Sequence, residues 1–241
     1  MSQSGPIVSW GQPWDPRFML PATSGDRVLV IGQIPHFAAD LRRDGVTVLR
    51  ALSPADVRAG GVVGDVSFTL DGLLVHPSED FDHVFVPALT RDHRRLPLAE
   101  LGRVLRPGGG LFLGVPHRLR DRSPVTTTAG RGRHTLEHAG FTDIEVFGIR
   151  YDLDRPRQLV PLDSPALMTW YLASVYRPQP GGDLTGAALL ARLVRTRLPV
   201  LALGPNGGRS RGLLVPLARS PLPRMIFRAL GFVARRRDRE C

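Results

Sequence analysis

Arg27-Val-Leu-Val-Ile-Gly-Gln-Ile-Pro-His-Phe-Ala-Ala-Asp-Leu-Arg-Arg-Asp-Gly-Val-Thr-Val-Leu49 is the stretch on which the fold turns. Its opening, an apolar run closed by Gly32, reads as a strand buried on both faces of a parallel sheet. Residues 35 to 44 read as a helix that Gly45 stops as a C-terminal cap. Val46 to Leu49 is a second strand. Strand, helix and strand in so short a span imply a right-handed crossover within one parallel sheet.

The alternation continues outward from this unit. Leu73 to His76 is a weak strand, and Phe81-Asp-His-Val-Phe-Val-Pro87 is a stronger one. Leu96 to Leu105 reads as a helix ended by Pro107-Gly-Gly-Gly110, and Leu111-Phe-Leu-Gly-Val115 as another buried strand. Thr135 to Ala139 belongs to a further helix, Gly140 caps it, and Ile144 to Ile149 forms the next strand. Strands alternating with helices predict an α/β fold with a doubly wound, mostly parallel, Rossmann-like sheet. The ligands of such sheets bind beyond the carboxyl ends of the strands.

The chain has 241 residues, 42 % apolar and 22 % charged, which suits one domain with additions and argues against wholesale disorder. Its single cysteine, Cys241, excludes an intramolecular disulfide framework and a Cys-rich zinc module, and fits a reducing cytosol. The first 16 residues carry no Lys or Arg and are interrupted by Pro6 and Pro13, so no secretory signal is read there. No run approaches the length of a membrane span. The expectation is a cytoplasmic protein.

The formal net charge of +10 comes entirely from arginine, since all 32 basic residues are Arg. Residues 1–150 hold 17 Arg and 16 acids, whereas residues 151–241 hold 15 Arg and 6 acids. The basicity therefore belongs to the last third.

The turn Gly32-Gln33-Ile34-Pro-His-Phe37 is where a nucleotide-like ligand would meet the backbone of such a sheet. It holds one glycine, so it is neither a dinucleotide fingerprint nor a phosphate loop. At the end of the second strand an acid would bind a ribose diol, but Arg50 stands there. An Arg could face a 2′-phosphate instead, yet the Gly-rich turn of an NADP site is missing.

Taken together, Val28-Leu-Val-Ile-Gly32, Gly64-Asp65, Phe81-Asp82 before an apolar strand, Arg103-Val-Leu-Arg-Pro-Gly-Gly109 before a buried strand, and Ala139-Gly-Phe141 resemble the class I S-adenosylmethionine-dependent methyltransferases over about residues 26–150. The Arg103–Gly109 segment is the most specific piece, and it also has a physical reading, because Pro-Gly-Gly ends a helix and turns the chain sharply. The resemblance implies S-adenosylmethionine as cofactor, held by Gly32, Gln33, Ile34, Arg50, Asp65, Val66 and Pro87, with Gly64-Asp65 near the adenine. It implies His93, in Thr90-Arg-Asp-His93, as a substrate-facing base, and His117 as a second candidate. The chain departs from the family at Val30 and Arg50, where an acid is usual, and at Ile34 and His36, where glycines are usual. Two readings follow: an active methyltransferase with an altered pocket, or a catalytically inactive relative that kept the fold as a binding or scaffold protein.

His134-Thr-Leu-Glu-His138 matches the H-x-x-E-H pattern of a metalloprotease family. It leads into Ala139-Gly-Phe141, where the methyltransferase pattern has an ordinary amphipathic helix, and no metal is expected.

The domain reading is an N-terminal arm over 1–25, packed through Trp10, Trp14, Phe18 and Met19; a methyltransferase-like domain over 26–219; and a basic amphipathic tail over 220–241. Within the domain, residues 155–211 read as a helical insertion or lid, with helices over Ser164 to Tyr176 and Leu184 to Leu198 before a strand over Gly212 to Arg219. Arginines beside a cleft suit carboxylate or phosphate, so a small, anionic substrate is expected. The segment Pro223 to Arg237 places Met225, Ile226, Ala229, Leu230 and Val233 on one helical stripe. Such a helix would lie on an anionic membrane, for instance at its inner face, meet an acidic partner, or pack on its own domain. Nucleic acid is not expected, for want of a reading module.

Overall fold

The computed structural model describes residues 19–32, 35–52, 64–69, 73–89, 97–117, 126–150, 158–164, 167–168, 227 and 229–238. The expected first unit is present: β1 (Arg27–Ile31), α1 (Pro35–Arg43) and β2 (Thr47–Ala51), with β1 and β2 parallel. Then come β3 (Phe81–Val86), α2 (Leu98–Val104), β4 (Leu105–Pro116), α3 (Ala129–His138), β5 (Phe141–Arg150), β6 (Gln158–Pro161) and β7 (Ala229–Arg236). The strands form one seven-stranded sheet in the order β2-β1-β3-β4-β7-β5-β6. β2, β1, β3 and β4 run parallel, and β7 is antiparallel to both β4 and β5.

Both faces of the sheet are covered, which is why the strands read as continuous apolar runs. On one face Phe37, Ala38 and Leu41 of α1 pack with Val28, Val30, Val48, Phe85 and Phe112. Leu20 joins them, so the chain just before β1 lies against the body. On the other face Leu101 and Val104 of α2 and Leu136 of α3 pack with Leu29, Ile31, Val84, Leu111, Leu113 and Phe232.

Two pieces of the sequence pattern acquire physical reasons. Asp82, beside Phe81, accepts the backbone N–H of Arg27 at 2.8 Å and the guanidinium of Arg106 at 2.6 Å, tying the amino ends of β1, β3 and β4 together. Pro107-Gly-Gly109 is a bulge inside β4 rather than a turn before it. Phe81 pairs with Leu105 but His83 with Gly110, Gly108 has φ +71°, and a Cβ on Gly109 would stand 2.8 Å from the Arg106 carbonyl and 3.0 Å from that of Asp82. The helix accordingly ends at Val104, one residue earlier than expected.

The C-terminal helix expected over Pro223 to Arg237 is corrected. Residues 229–236 are β7, seated between β4 and β5. Leu230, Phe232 and Ala234 enter one core and Val233 packs on the other, an alternation of period two that a short apolar run does not separate from a helical stripe. A buried inner strand is not a helix lying on a membrane. The expected helix over Leu184 to Leu198, the strand over Gly212 to Arg219, and Trp10, Trp14 and Phe18 lie outside the described residues. Of the helix expected from Ser164, Leu167 and Met168 are helical, and the Leu167 N–H donates to the Ser164 hydroxyl at 3.3 Å. The weak strand over Leu73 to His76 is reduced to one bridge, Phe68 to Leu74. No helix of the described residues is long and apolar enough to cross a membrane.

That weak segment is held by a buried carboxylate. Glu100, 6 % exposed, accepts the Leu74 N–H at 2.8 Å and takes two bonds from Arg103, at 2.8 and 2.6 Å. Arg103 also reaches the carbonyls of His76 and Leu74, at 3.0 and 3.1 Å. Arg103 holds the Glu100 carboxyl below its ordinary pKa, and the Leu74 N–H adds to this. A lowered folded-state pKa stabilises above the unfolded value and loses that contribution as pH falls through the folded one. E100Q is expected to cost about 1.5–3 kcal/mol at neutral pH, with the gap to wild type closing below roughly pH 4. Urea denaturation of both proteins from pH 7 to pH 3 checks this, and a gap independent of pH would contradict it.

Candidate functional site

The carboxyl ends of β1, β2, β3 and β4 open on one edge of the sheet, and the expected site residues are read from there. Gly32 follows β1 at φ +106°, in the left-handed region that glycine favours, and its N–H donates to the Ala51 carbonyl at 3.0 Å. The chain can therefore turn off β1 toward α1 while staying tied to the end of β2. Gln33, Ile34 and His93 lie outside the described residues.

Gly64, Asp65 and Val66 sit against the outer edge of β2. Val66 forms a parallel bridge with Ala51 and donates its N–H to the Arg50 carbonyl at 3.0 Å, while its side chain is buried in the core. The Asp65 carboxylate accepts the Arg50 N–H at 2.9 Å and lies 3.5 Å from the guanidinium of Arg42. The pair expected near the adenine is thus also the clasp that seats this segment on β2. Arg42, which the sequence reading passed over, completes the clasp from the last turn of α1, where it also donates to the Val48 carbonyl at 3.0 Å. Its position in that turn, where a cation suits the helix end, was the available signal.

Pro87 is buried directly after β3, and the Leu89 N–H returns to the Gly114 carbonyl of β4 at 2.8 Å. His117 stands at the end of β4, 2 % exposed, with Nδ1 at 3.1 Å from the Phe227 carbonyl. A carbonyl only accepts, so Nδ1 is the donor of this bond. Arg50, Asp65 and Val66 are joined by hydrogen bonds at the β1–β2 side of this edge, where Gly32 is tied to the Ala51 carbonyl; Pro87 and His117 end the two strands beyond.

S-adenosylmethionine would bring an adenine, a ribose diol, and the carboxylate and ammonium of methionine. Arg50 fits its oxygens, because Nε is buried and has no hydrogen-bond partner among the described residues. A ribose or carboxylate oxygen would satisfy that donor. Val30 offers no acceptor for the ammonium, its side chain being wholly buried in the α1 core. The described set thus fits the oxygen-rich parts of the group and lacks the customary acid.

Two groups at the start of β3 have pKa values displaced by their surroundings. Besides Glu100 and Arg103, Asp80 is lowered, first by the His76 hydrogen bond at 2.6 Å, and His83 is lowered by burial. Both lie at the start of β3, at the opposite end of the sheet, where charges tie strands together.

The seating of the clasp is testable. A Cβ on Gly64 would stand 2.7 Å from the Arg50 carbonyl oxygen and 3.0 Å from the Leu52 nitrogen, both backbone atoms. Gly64→Ala is therefore expected to cost about 1–3 kcal/mol in urea denaturation, and a loss below about 0.5 kcal/mol would show that the segment is not so closely seated.

No protein-family model matches the sequence, and no curated protein matches it. Among solved structures, the chain is similar to phosphoethanolamine N-methyltransferase 2 from Haemonchus contortus, in complex with phosphomonomethylethanolamine and S-adenosylhomocysteine, at 16 % identity and TM-score 0.47, over 95 % of this chain and 55 % of that one. The chain thus spans about half the length of that enzyme. It is similar to a SAM-dependent methyltransferase from Archaeoglobus fulgidus at 13 % identity and TM-score 0.47, covering 91 % and 90 % of the two chains. It is also similar to a putative methyltransferase from Haloferax volcanii, solved with the Trm112 methyltransferase activator, at 18 % identity and TM-score 0.45, covering 92 % and 89 %. By its own strand order, four parallel strands followed by an antiparallel β7 inserted before β5, the chain has the Rossmann-like fold of the class I methyltransferase type.

Proposed function

We propose that this protein transfers a methyl group from S-adenosylmethionine to a small, anionic molecule at the carboxyl ends of its parallel strands. The observation that carries the reading is Arg50, at the end of β2, whose Nε is buried and has no partner among the described residues. Gly32, Gln33 and Ile34 would form the turn beneath the ligand, Asp65 and Val66 its adenine side, and Pro87 its floor after β3. When bound, the cofactor supplies an electrophilic methyl on a sulfonium. The protein's contribution is alignment, which accounts for much of the rate of such transfers. His93 is the candidate base for a substrate hydroxyl or amine, and His117, whose ring is oriented by the hydrogen bond from Nδ1 to the Phe227 carbonyl, is the second. The excess arginine of residues 151–241 supports a carboxylate- or phosphate-bearing acceptor.

A second reading, a binding or scaffold protein on the same fold, is favoured by one observation. The backbone N–H groups of Gly32 and Val66 and the Asp65 carboxylate are already bonded within the protein, and Val30 replaces the usual acid. Calorimetric titration separates the two. Saturable binding of S-adenosylmethionine and S-adenosylhomocysteine is expected, weakened at least roughly tenfold in Arg50→Leu, as for loss of a charge-assisted hydrogen bond. Absence of heat at millimolar ligand would remove the methyltransferase reading and leave the binding protein.

A further inference from the structure

The pattern His134-Thr-Leu-Glu-His138 lies outside the proposed site. It occupies the last turns of α3, whose buried side is Gly132 and Leu136; Gly132 leaves room for the Phe232 ring, so the helix sits closely on β7. α3 passes through the Gly140 turn into β5, which runs parallel to β4, and the Arg237 N–H donates to the Gly140 carbonyl at 3.0 Å. The helix C-terminus is thus at the amino ends of the parallel strands, away from Gly32 and His117.

His134 and His138 are four residues apart and therefore neighbours on one helix face. Both are exposed, and their Nε2 atoms stand 3.0 Å apart, with the rings at 89° and their centroids 4.2 Å apart. Two ring nitrogens converging at this distance share one proton or one cation. A metal bound to imidazole at about 2.0–2.1 Å sets two nitrogens about 2.9 Å apart at a right angle and about 3.4 Å apart in a tetrahedron. The observed separation fits the right angle, which belongs to tetragonal sites of nitrogen and oxygen such as Cu2+ and Ni2+ adopt. The described residues contain no group of three or more His, Cys, Asp and Glu able to hold a metal, and Glu137 is 4.0 Å from His134 Nδ1.

We propose that His134 and His138 form an open, two-imidazole seat for a late first-row divalent cation, Ni2+ or Cu2+, with water completing the coordination. The seat needs no folding change, because α3 already holds both nitrogens in place. Chelation by two preorganised ligands exceeds what a single exposed histidine offers. The proposal stands independently of methyl transfer, since it uses none of the strand-end residues.

The test is calorimetric titration of the untagged full chain with NiCl2 in a non-chelating buffer near pH 7.5, with a thermal melt at each end point. Wild type is expected to bind one Ni2+ saturably and to melt higher with the metal. His134→Ala and His138→Ala should each weaken binding at least roughly tenfold and abolish the metal-dependent rise. Both positions are exposed and alanine favours helix, so unchanged far-ultraviolet circular dichroism would certify the fold of each variant. Wild type without saturable binding, or either variant binding as wild type does, would overturn the proposal.

Discussion

The structure depends on burying β4 on both faces while every ladder beside it is made. β4 stands in the middle of the seven strands, parallel to β3 on one side and antiparallel to β7 on the other. Leu111 and Leu113 enter the core under α2 and α3, and Phe112 enters the core under α1. Backbone polar groups at such a depth are costly unless bonded, so the two neighbouring strands are as necessary as the side chains. This explains why β7, far away in sequence, belongs to the heart of the domain. It also explains the glycines at the contact: a Cβ on Gly231 would stand 3.3 Å from the Phe112 ring, tighter than an ordinary packing contact.

The two ends of the sheet divide the work. At the amino ends, acids and arginines are spent on one another: Asp80 takes Arg27 at 2.6 Å, Asp82 takes Arg106, and Glu79 takes Arg236 at 3.0 Å. Partly exposed pairs of this kind contribute little singly. They gain meaning by fixing where strands begin. At the carboxyl ends, the buried Arg50 Nε has no acceptor among the described residues, and the clasp of Asp65 with Arg42 brings the chain against β2.

The parallel half of the fold was legible in the sequence because both its signals are local. Apolar runs bounded by glycine or proline mark β1, β3 and β4, and the intervening helices have their own stops. The Arg103–Gly109 segment was legible as a pattern but misread in detail: the bulge within β4 depends on Asp82 and His83 across the ladder, which no reading of one strand contains. β7 was misread for a related reason. Its apolar residues suit a helix stripe as well as a strand buried on both faces, and only the vacancy between β4 and β5 decides. In the candidate site, Gly32 could be named from the turn after β1 and Asp65 from the family resemblance, whereas Asp65 bonding the Arg50 backbone, and Arg42 closing on it, are tertiary facts. The charge of +10 is uneven along the chain. The described sheet balances its arginines with acids across strands, and the excess falls in residues 151–241.

Native-state hydrogen exchange, resolved by residue, tests the central dependence on β4 most directly. The amides of Leu111, Phe112 and Leu113 are expected to exchange only through global unfolding, with the same denaturant dependence as the amides of Leu230 and Phe232 in β7, while those of α1 open earlier. Exchange of β7 by a separate, shallower opening that leaves β4 protected would contradict an account in which these two strands form one cooperative core.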